Sequence, residues 1–368
     1  MSREPAIAFF LPTVRGGGAQ RVVVNLIQGL VDRRRPVDLV LATRTGVFLD
    51  QIPPEVRIVD LRAGRLIRSL VPLTRYLKRE RPRVVVSSMS HANLIALWAA
   101  RLAGTGTPVV ATVHNTMSQS TQGLGRLGGV LEPRLLRAFY PWASSIVAVS
   151  EGAADDLART SGLRRERVSV VYNPVITPEM MAMAARRPDH PWLAPGAPPV
   201  ILGVGRLTAQ KDFPNLIRAF AALRARREAR LIILGEGEDR PLLEALIASL
   251  GVAHDVSLPG FRPDAMAYMA SSALFALSSA WEGLPTVLIE AMAAGARVVS
   301  TDCPSGPREI LQNGRLGRLV PVGDSGALAE AMERTLAEAA LPVPAEALTP
   351  YTRDAAVDNY LRLIESAR

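Results

Sequence analysis

Cysteine is almost missing from this chain: among 368 residues there is one, Cys303. A single thiol excludes an intramolecular disulfide and fits a reducing compartment. With only four histidines scattered along the chain, a structural zinc site is not expected and no metal ligands are assigned. Aromatic residues are scarce, at 5%, and are not interleaved with basic ones, which argues against a nucleic-acid-binding module. No apolar run reaches the roughly 18 residues needed to span a membrane. The opening Ser2-Arg3-Glu4 does not read as a signal peptide. A Walker loop, a G-x-S-x-G elbow, zinc spacing and a D-x-D pair for a nucleotide-bound divalent metal are all lacking.

What is there fits a soluble globular chain, 48% hydrophobic and 21% charged. Its length exceeds one ordinary core, so two domains are expected. Charge is unevenly divided. Residues 1–190 carry 26 Lys+Arg against 14 Asp+Glu, a net of +12, and residues 191–368 carry 17 against 20, a net of −3. A basic first half suggests an anionic surface or acceptor. Arg65–Arg83 concentrates this: Arg65, Arg68, Arg75, Lys78, Arg79, Arg81 and Arg83 alternate with Leu66, Ile67, Leu70, Val71, Leu73, Tyr76 and Leu77. Such a segment can lie on an anionic membrane or pack as an ordinary amphipathic helix.

Short apolar runs alternate with helical patterns throughout. Ala6–Leu11, Val37–Ala42, Arg57–Leu61, Val84–Ser88, Val109–Val113, Ser145–Ser150 and Val168–Tyr172 read as strands of a first parallel sheet. The proline-rich stretch from Asn173 to Pro199 reads as a hinge. Alternation then resumes with Val200–Gly205, Leu231–Gly235, Val256–Pro259, Ala273–Leu277, Arg297–Ser300 and Gly317–Val320. The expected fold is α/β, with two Rossmann-like domains facing a central cleft. The first spans 1–174 and the second 175–351, and a C-terminal helix over 352–368 returns to the first.

In such sheets ligands bind beyond the C-terminal ends of strands, and the chemistry-bearing residues fall there. Arg15-Gly16-Gly17-Gly18-Ala19 links the first strand to a helix, an arrangement that can cradle phosphate and is equally a plain tight turn. His114 ends the Val109–Val113 strand and is a candidate site residue; His91, first in a helix, is a cap or supporting residue. Thr116–Val130, polar and glycine-rich, reads as a loop beside His114. Arg206 and Lys211 follow Gly205, where two cations can hold a diphosphate and steady a departing phosphate. Gly235–Asp239 is too acidic for phosphate and could only line a pocket. Asp302–Glu309 is another strand-end loop.

The central stretch is Ser278–Gly295. Glu282 lies on a turn with Gly283 and Leu284, a helix starts at Pro285, and Glu290 stands more than one turn inside it. That spacing suits two grips on one long ligand, with a helix N-terminus between them for an anion. Ordinary turn and surface roles for both glutamates are about as common.

Taken together, Gly17-Gly18-Ala19, Asn173-Pro174, the G-R-L-x(3)-K of Gly205–Lys211 and E-G-L-P-T-V-L-I-E-A-M-A-A-G resemble the retaining nucleotide-sugar glycosyltransferases of the GT-B fold, family 4, over essentially the whole chain. The resemblance implies that Glu282 and His114 contact the transferred sugar. It implies that Glu290 holds the nucleotide ribose and that Arg206 and Lys211 hold the diphosphate. Gly17, Gly18, Gly205, Gly260, Phe261, Gly283, Leu284, Pro285 and Thr286 would complete the donor site. Leu284 and Pro285 stand where the family commonly has an aromatic residue and a glycine. The Cys-Pro-Ser-Gly-Pro-Arg-Glu loop resembles members that use N-acetylhexosamine donors. The implied activity is metal-independent transfer of a hexose or N-acetylhexosamine, without a cofactor, from a nucleotide sugar, with a UDP-sugar as the expected donor. The implied acceptor is a lipid-linked or surface glycan, such as lipopolysaccharide or exopolysaccharide. The implied place is cytoplasmic, peripheral on the inner membrane face, with no nucleic-acid partner. The alternatives are a GT-B-fold UDP-N-acetylglucosamine epimerase and a non-enzymatic protein that binds anionic polymers.

Overall fold

The computed structural model describes residues 4–117, 125–339 and 342–366. It divides into two compact units, one formed by 1–175 with 350–368 and the other by 176–349.

The first unit is built on a seven-stranded parallel sheet in the order β3-β2-β1-β4-β5-β6-β7. Its strands are β1 (Ile7–Leu11), β2 (Val37–Leu41), β3 (Arg57–Asp60), β4 (Val84–Ser88), β5 (Val109–Val113), β6 (Ser145–Ala148) and β7 (Val168–Val170). β1, β2, β4 and β5 are buried at every position. That explains why they read as continuous apolar runs rather than alternating ones: helices cover both faces of a parallel sheet. Phe9, Leu26, Leu30 and Leu39 form the core together with Val357, Tyr360 and Ile364 of the helix Arg353–Ser366. The C-terminal helix thus belongs to this unit. It lies against the helix Gly18–Asp32, where Gly29 is required: a Cβ there would meet Val357 Cγ2 at 2.6 Å. Arg33 pairs with Asp358 at 2.7 Å, and Arg353 with Asp32 at 3.1 Å. Burying three side chains of this size contributes about 5–9 kcal/mol, so apolar packing holds the helix and the exposed ion pairs orient it.

The second unit carries a six-stranded parallel sheet in the order β10-β9-β8-β11-β12-β13. The strands are β8 (Val200–Val204), β9 (Arg230–Leu234), β10 (Val256–Gly260), β11 (Leu274–Leu277), β12 (Val298–Thr301) and β13 (Arg318–Val320). Ile201, Leu216, Phe220, Leu231, Leu274 and Met332 are wholly buried between this sheet and its helices.

Three expectations change. The stretch 173–199 does hold the passage between the two units, at 175–176, but most of it is ordered structure of the second unit. Thr177 caps a helix over Pro178–Ala184, accepting a hydrogen bond from Met180 N at 3.3 Å. Further on, Trp192 lies under the Arg230 guanidinium. The capping threonine followed by Pro178 is a helix-start signal that a count of prolines hides. The loop expected over Thr116–Val130 is helical from Gly125, in a helix that runs to Phe139; residues 118–124 lie outside the described ones. In the basic segment, Leu73, Tyr76 and Leu77 of the helix Leu70–Glu80 are buried in the unit. Its main apolar face is therefore already used, and only Ile67 and Val71 stay exposed, at 58% and 56%. Among the described residues no helix is long and apolar enough to cross a membrane.

Candidate active site

In each sheet the strand order reverses once, between β1 and β4 and between β8 and β11. An open parallel sheet has its natural binding site beyond the strand ends at such a reversal. In the second unit β8 and β11 are paired, Ile201 opposite Leu274. The loop after β8 carries Lys211 and the turn after β11 carries Glu282, so residues 71 apart in sequence meet at one strand end.

They meet as an ion pair, Lys211 Nζ to Glu282 Oε1 at 2.6 Å, with side chains only 15% and 7% exposed. Glu282 is held from several sides. Ser279 Oγ donates to Oε1 at 2.7 Å, and Gln210 Nε2 lies 3.3 Å from Oε2 while also reaching Trp281 O at 3.1 Å. Ser279 O in turn accepts from Thr301 Oγ1 at 2.6 Å. The two loops are tied by Ala280 N donating to Gln210 O and by Ser278 Oγ donating to Lys211 O. Glu282 is thus a fixed, buried carboxylate, satisfied as a buried charge must be. Arg206 differs: it is exposed, and among the described residues it has no ion-pair partner.

Glycines let these strand ends close on one another. A Cβ on Gly205 would come within 2.9 Å of Lys211 Cε, so the lysine lies across the bare backbone. Gly235, at φ +138°, would place a Cβ 1.9 Å from Gly205 O. Gly235 N donates to Gly260 O, and Gly205 N to Leu234 O. Phe261 stands next to this seam, 74% exposed.

After Glu282 the chain turns through Gly283 and the buried Leu284 into the helix Thr286–Ala293, with Pro285 as its N-cap rather than its first helical residue. The helix begins with no side-chain cap and no acidic residue in its first turn, so its first N–H groups and positive dipole end remain for an anion. Glu290, half-buried, lies within it. The turn is braced by the Asp302–Glu309 loop: Ser305 Oγ donates to Gly283 O at 2.6 Å, and Gly306 packs on Pro285. Cys303 is buried here, and burial followed by the Glu282 charge pushes its thiol up to about 12. It is no nucleophile.

His114, Gly17 and Gly18 lie in the first unit. Gly17 caps the helix Gly18–Asp32 at φ 120°, a value other residues avoid, whereas the space over Gly18 is open. His114 Nε2 is 3.2 Å from Thr112 Oγ1. Thr112 Oγ1 also donates to Ser87 O and lies 2.8 Å from Ser88 Oγ. His114 Nδ1 is buried with no partner, and burial pushes the ring down to about 4, so it is neutral near pH 7. The Nε2 atom is turned to Thr112. Gln210, Ser279, Thr112 and Gly306 were not singled out from the sequence. A strand-end address was the one available signal for them.

Two family models match the chain: Glycosyltransferase Family 4 over residues 16–178 and Glycosyl transferases group 1 over residues 198–338. The lipopolysaccharide core biosynthesis glycosyltransferase LpsE of Rhizobium meliloti is 27% identical over 361 residues, 96% of this chain and 97% of that one. A Campylobacter jejuni N-acetylgalactosaminyltransferase, named for a diphospho-undecaprenol-linked acceptor, is 28% identical over 90% of each chain. Among solved structures, Anabaena HepE in complex with UDP-glucose superposes with a TM-score of 0.77 at 21% identity, covering 99% of this chain and 100% of that one. The fold and the matched patterns define a glycosyl-transferring enzyme of the two-Rossmann-unit type. The chain belongs to the GT-B glycosyltransferases, with a family 4 pattern in its first unit and a group 1 pattern in its second.

Proposed function

We propose that this glycosyltransferase moves a hexose or N-acetylhexosamine from a UDP-sugar to a lipid-linked or surface-glycan acceptor, with retention at the anomeric carbon and without a metal. The observation that carries this reading is the strand-end arrangement of the second unit. A fixed carboxylate, Glu282, and a half-buried ammonium, Lys211, stand with a guanidinium, Arg206, that has no ion pair among the described residues, and an uncapped helix start. Cations and backbone N–H groups aimed at a departing phosphate supply the charge stabilisation such a transfer needs. Arg206 and Lys211 take the diphosphate, Glu290 the ribose, and Glu282 the sugar. Gly205, Gly260, Phe261 and Gly283–Thr286 line the donor. Departing phosphate oxygens accept the proton of the incoming hydroxyl on the same face, so no carboxylate nucleophile is called on.

Relatives named for lipopolysaccharide core synthesis and for a diphospho-undecaprenol-linked glycan support the acceptor class. We place the enzyme in the cytoplasm, on the inner face of the membrane, with the exposed Ile67 and Val71 and the basic residues around them touching anionic lipid. The test is UDP release from a panel of UDP-sugars with an isoprenyl-diphosphate-linked glycan as acceptor. Turnover should fall by two orders of magnitude or more, about 3 kcal/mol, in Arg206→Gln and Glu290→Gln. Wild-type rates in both variants, or an epimerised sugar nucleotide as the product, would overturn the reading.

A further inference from the structure

Arginines are distributed unequally between the two edges of the first unit's sheet. At the N-terminal edge several are paired, Arg57 with Asp38 and Glu80, and both Arg35 and Arg83 with Glu4, while Arg34 and Arg81 are exposed without an ion pair among the described residues. At the C-terminal edge of β1, β2 and β3 stand Arg15, Arg44, Arg62 and Arg65. All four are exposed, and among the described residues none has a carboxylate at ion-pair distance. The acidic residues here do not balance them: Asp60 keeps its charge, but among the described residues it forms no ion pair with any of the four. Asp60 spends Oδ1 on two backbone groups, accepting from Arg44 N at 3.2 Å and Arg62 N at 3.0 Å. Asp50 belongs to the short helix Leu49–Gln51.

The three loops are nonetheless fixed to one another. Val14 N donates to Thr45 O, Phe48 N to Val14 O, Thr43 N to Pro12 O, and Ala63 N to Ala42 O. Arg15 Nε reaches Thr45 Oγ1 at 3.3 Å. Gly46, at φ +139°, packs so closely on Val14 that a Cβ would fall 2.0 Å from its carbonyl oxygen. Like charges gathered on a rigid frame repel, and the Asp60 carboxylate offsets only part of that repulsion. Such an arrangement costs stability unless an anion uses it.

We propose that the loops after β1, β2 and β3 form a binding site for a diphosphate group carried by the acceptor, held by the guanidiniums of Arg15, Arg44, Arg62 and Arg65. Guanidinium forks match phosphate oxygens in pairs, and four of them exceed what a single phosphate can occupy. The site rests on the proposed lipid-linked or surface-glycan acceptor and on the net charge of +12 over residues 1–190, which favours an anionic one. It makes the acceptor a diphosphate-linked glycan rather than a neutral one.

The test uses the full chain and inorganic pyrophosphate as probe, titrated calorimetrically into the wild type and into Arg206→Gln, which separates this site from the one at Arg206 and Lys211. The variant is R15Q/R44Q/R62N; asparagine suits the φ of 51° at Arg62. None of the three side chains carries an ion pair, and thermal melting reports whether the variant folds. Saturable pyrophosphate binding in the wild type, weakened at least tenfold in the triple variant and retained in Arg206→Gln, is the expected result. In turnover, the KM for a diphosphate-linked acceptor should rise at least tenfold while the KM for the UDP-sugar stays unchanged. Equal pyrophosphate affinity in wild type and variant overturns the proposal. So does a variant that keeps pyrophosphate but no longer sediments with phosphatidylglycerol vesicles, because the arginines would then serve a lipid surface. Failure to bind any UDP-sugar would sink the donor reading yet leave the pyrophosphate result to stand or fall by itself.

Discussion

Replacing Glu282 with glutamine keeps the size of the side chain and removes its charge. Lys211, 15% exposed, would then face an amide where a carboxylate had stood at 2.6 Å. Removing one member of a buried ion pair costs about 3–5 kcal/mol, because the remaining charge stays desolvated and unpaired. For a unit of this size each kcal/mol lowers Tm by about 2–4 °C, so Glu282→Gln should melt about 6–20 °C below the wild type. Lys211→Met should cost a similar amount, reduced somewhat because Ser279 and Gln210 still donate to the carboxylate. The double variant removes both charges and should be less destabilised than the two singles added together, by about 2 kcal/mol. Urea unfolding of the four proteins closes the cycle. Additive losses, or a Glu282→Gln protein within about 0.5 kcal/mol of wild type, the range of an ordinary surface change, would refute the view that this pair is a buried, fixed unit.

Other outcomes follow from individual contacts. His114 is held down to about 4 against an ordinary value of about 6.5. The unfolded chain therefore takes up a proton that the folded chain refuses between those values. Stability should be full above about pH 6.5 and fall by up to about 3 kcal/mol as pH drops to about 4, and His114→Gln should flatten that part of the pH–stability curve. Gly306→Ala forces a Cβ to within 2.3 Å of Pro285 Cδ at a φ of +98°. It should destabilise the second unit by about 2 kcal/mol and raise the KM for the UDP-sugar, both readable from melting and initial rates. Co-sedimentation with phosphatidylglycerol vesicles should weaken with salt and in Arg68→Ser/Arg75→Ser/Lys78→Ser. Equal binding to neutral vesicles would count against anionic-lipid contact.

The β-α alternation was legible because a parallel sheet buries both faces of its strands: Val84–Ser88 and Val109–Val113 are apolar enough to stand out, and the expected runs coincide with the thirteen strands observed. The C-terminal helix was legible by its spacing, and its docking partner became visible only through Gly29 and Val357. Position at a strand end pointed to Lys211, Glu282 and His114, but not to what they touch. The Lys211–Glu282 pair depends on β8 and β11 being neighbours, a property of strand order that local pattern does not carry. Gln210 and Ser279 were passed over for the same reason: a single amide or hydroxyl acquires meaning only when a distant carboxylate arrives beside it. Proline count misread 173–199, since Pro178 after a capping threonine starts a helix rather than interrupting one.

The central claim is retaining, metal-independent transfer from a UDP-sugar, and the stereochemistry of the product tests it most directly. Proton NMR of the product's anomeric signal, recorded from a reaction of an α-linked UDP-sugar with a diphosphate-linked glycan acceptor in excess EDTA, gives the answer in one spectrum. The account predicts an α-linked product formed at the rate seen without chelator. A β-linked product, or no product until a divalent metal is restored, would contradict it.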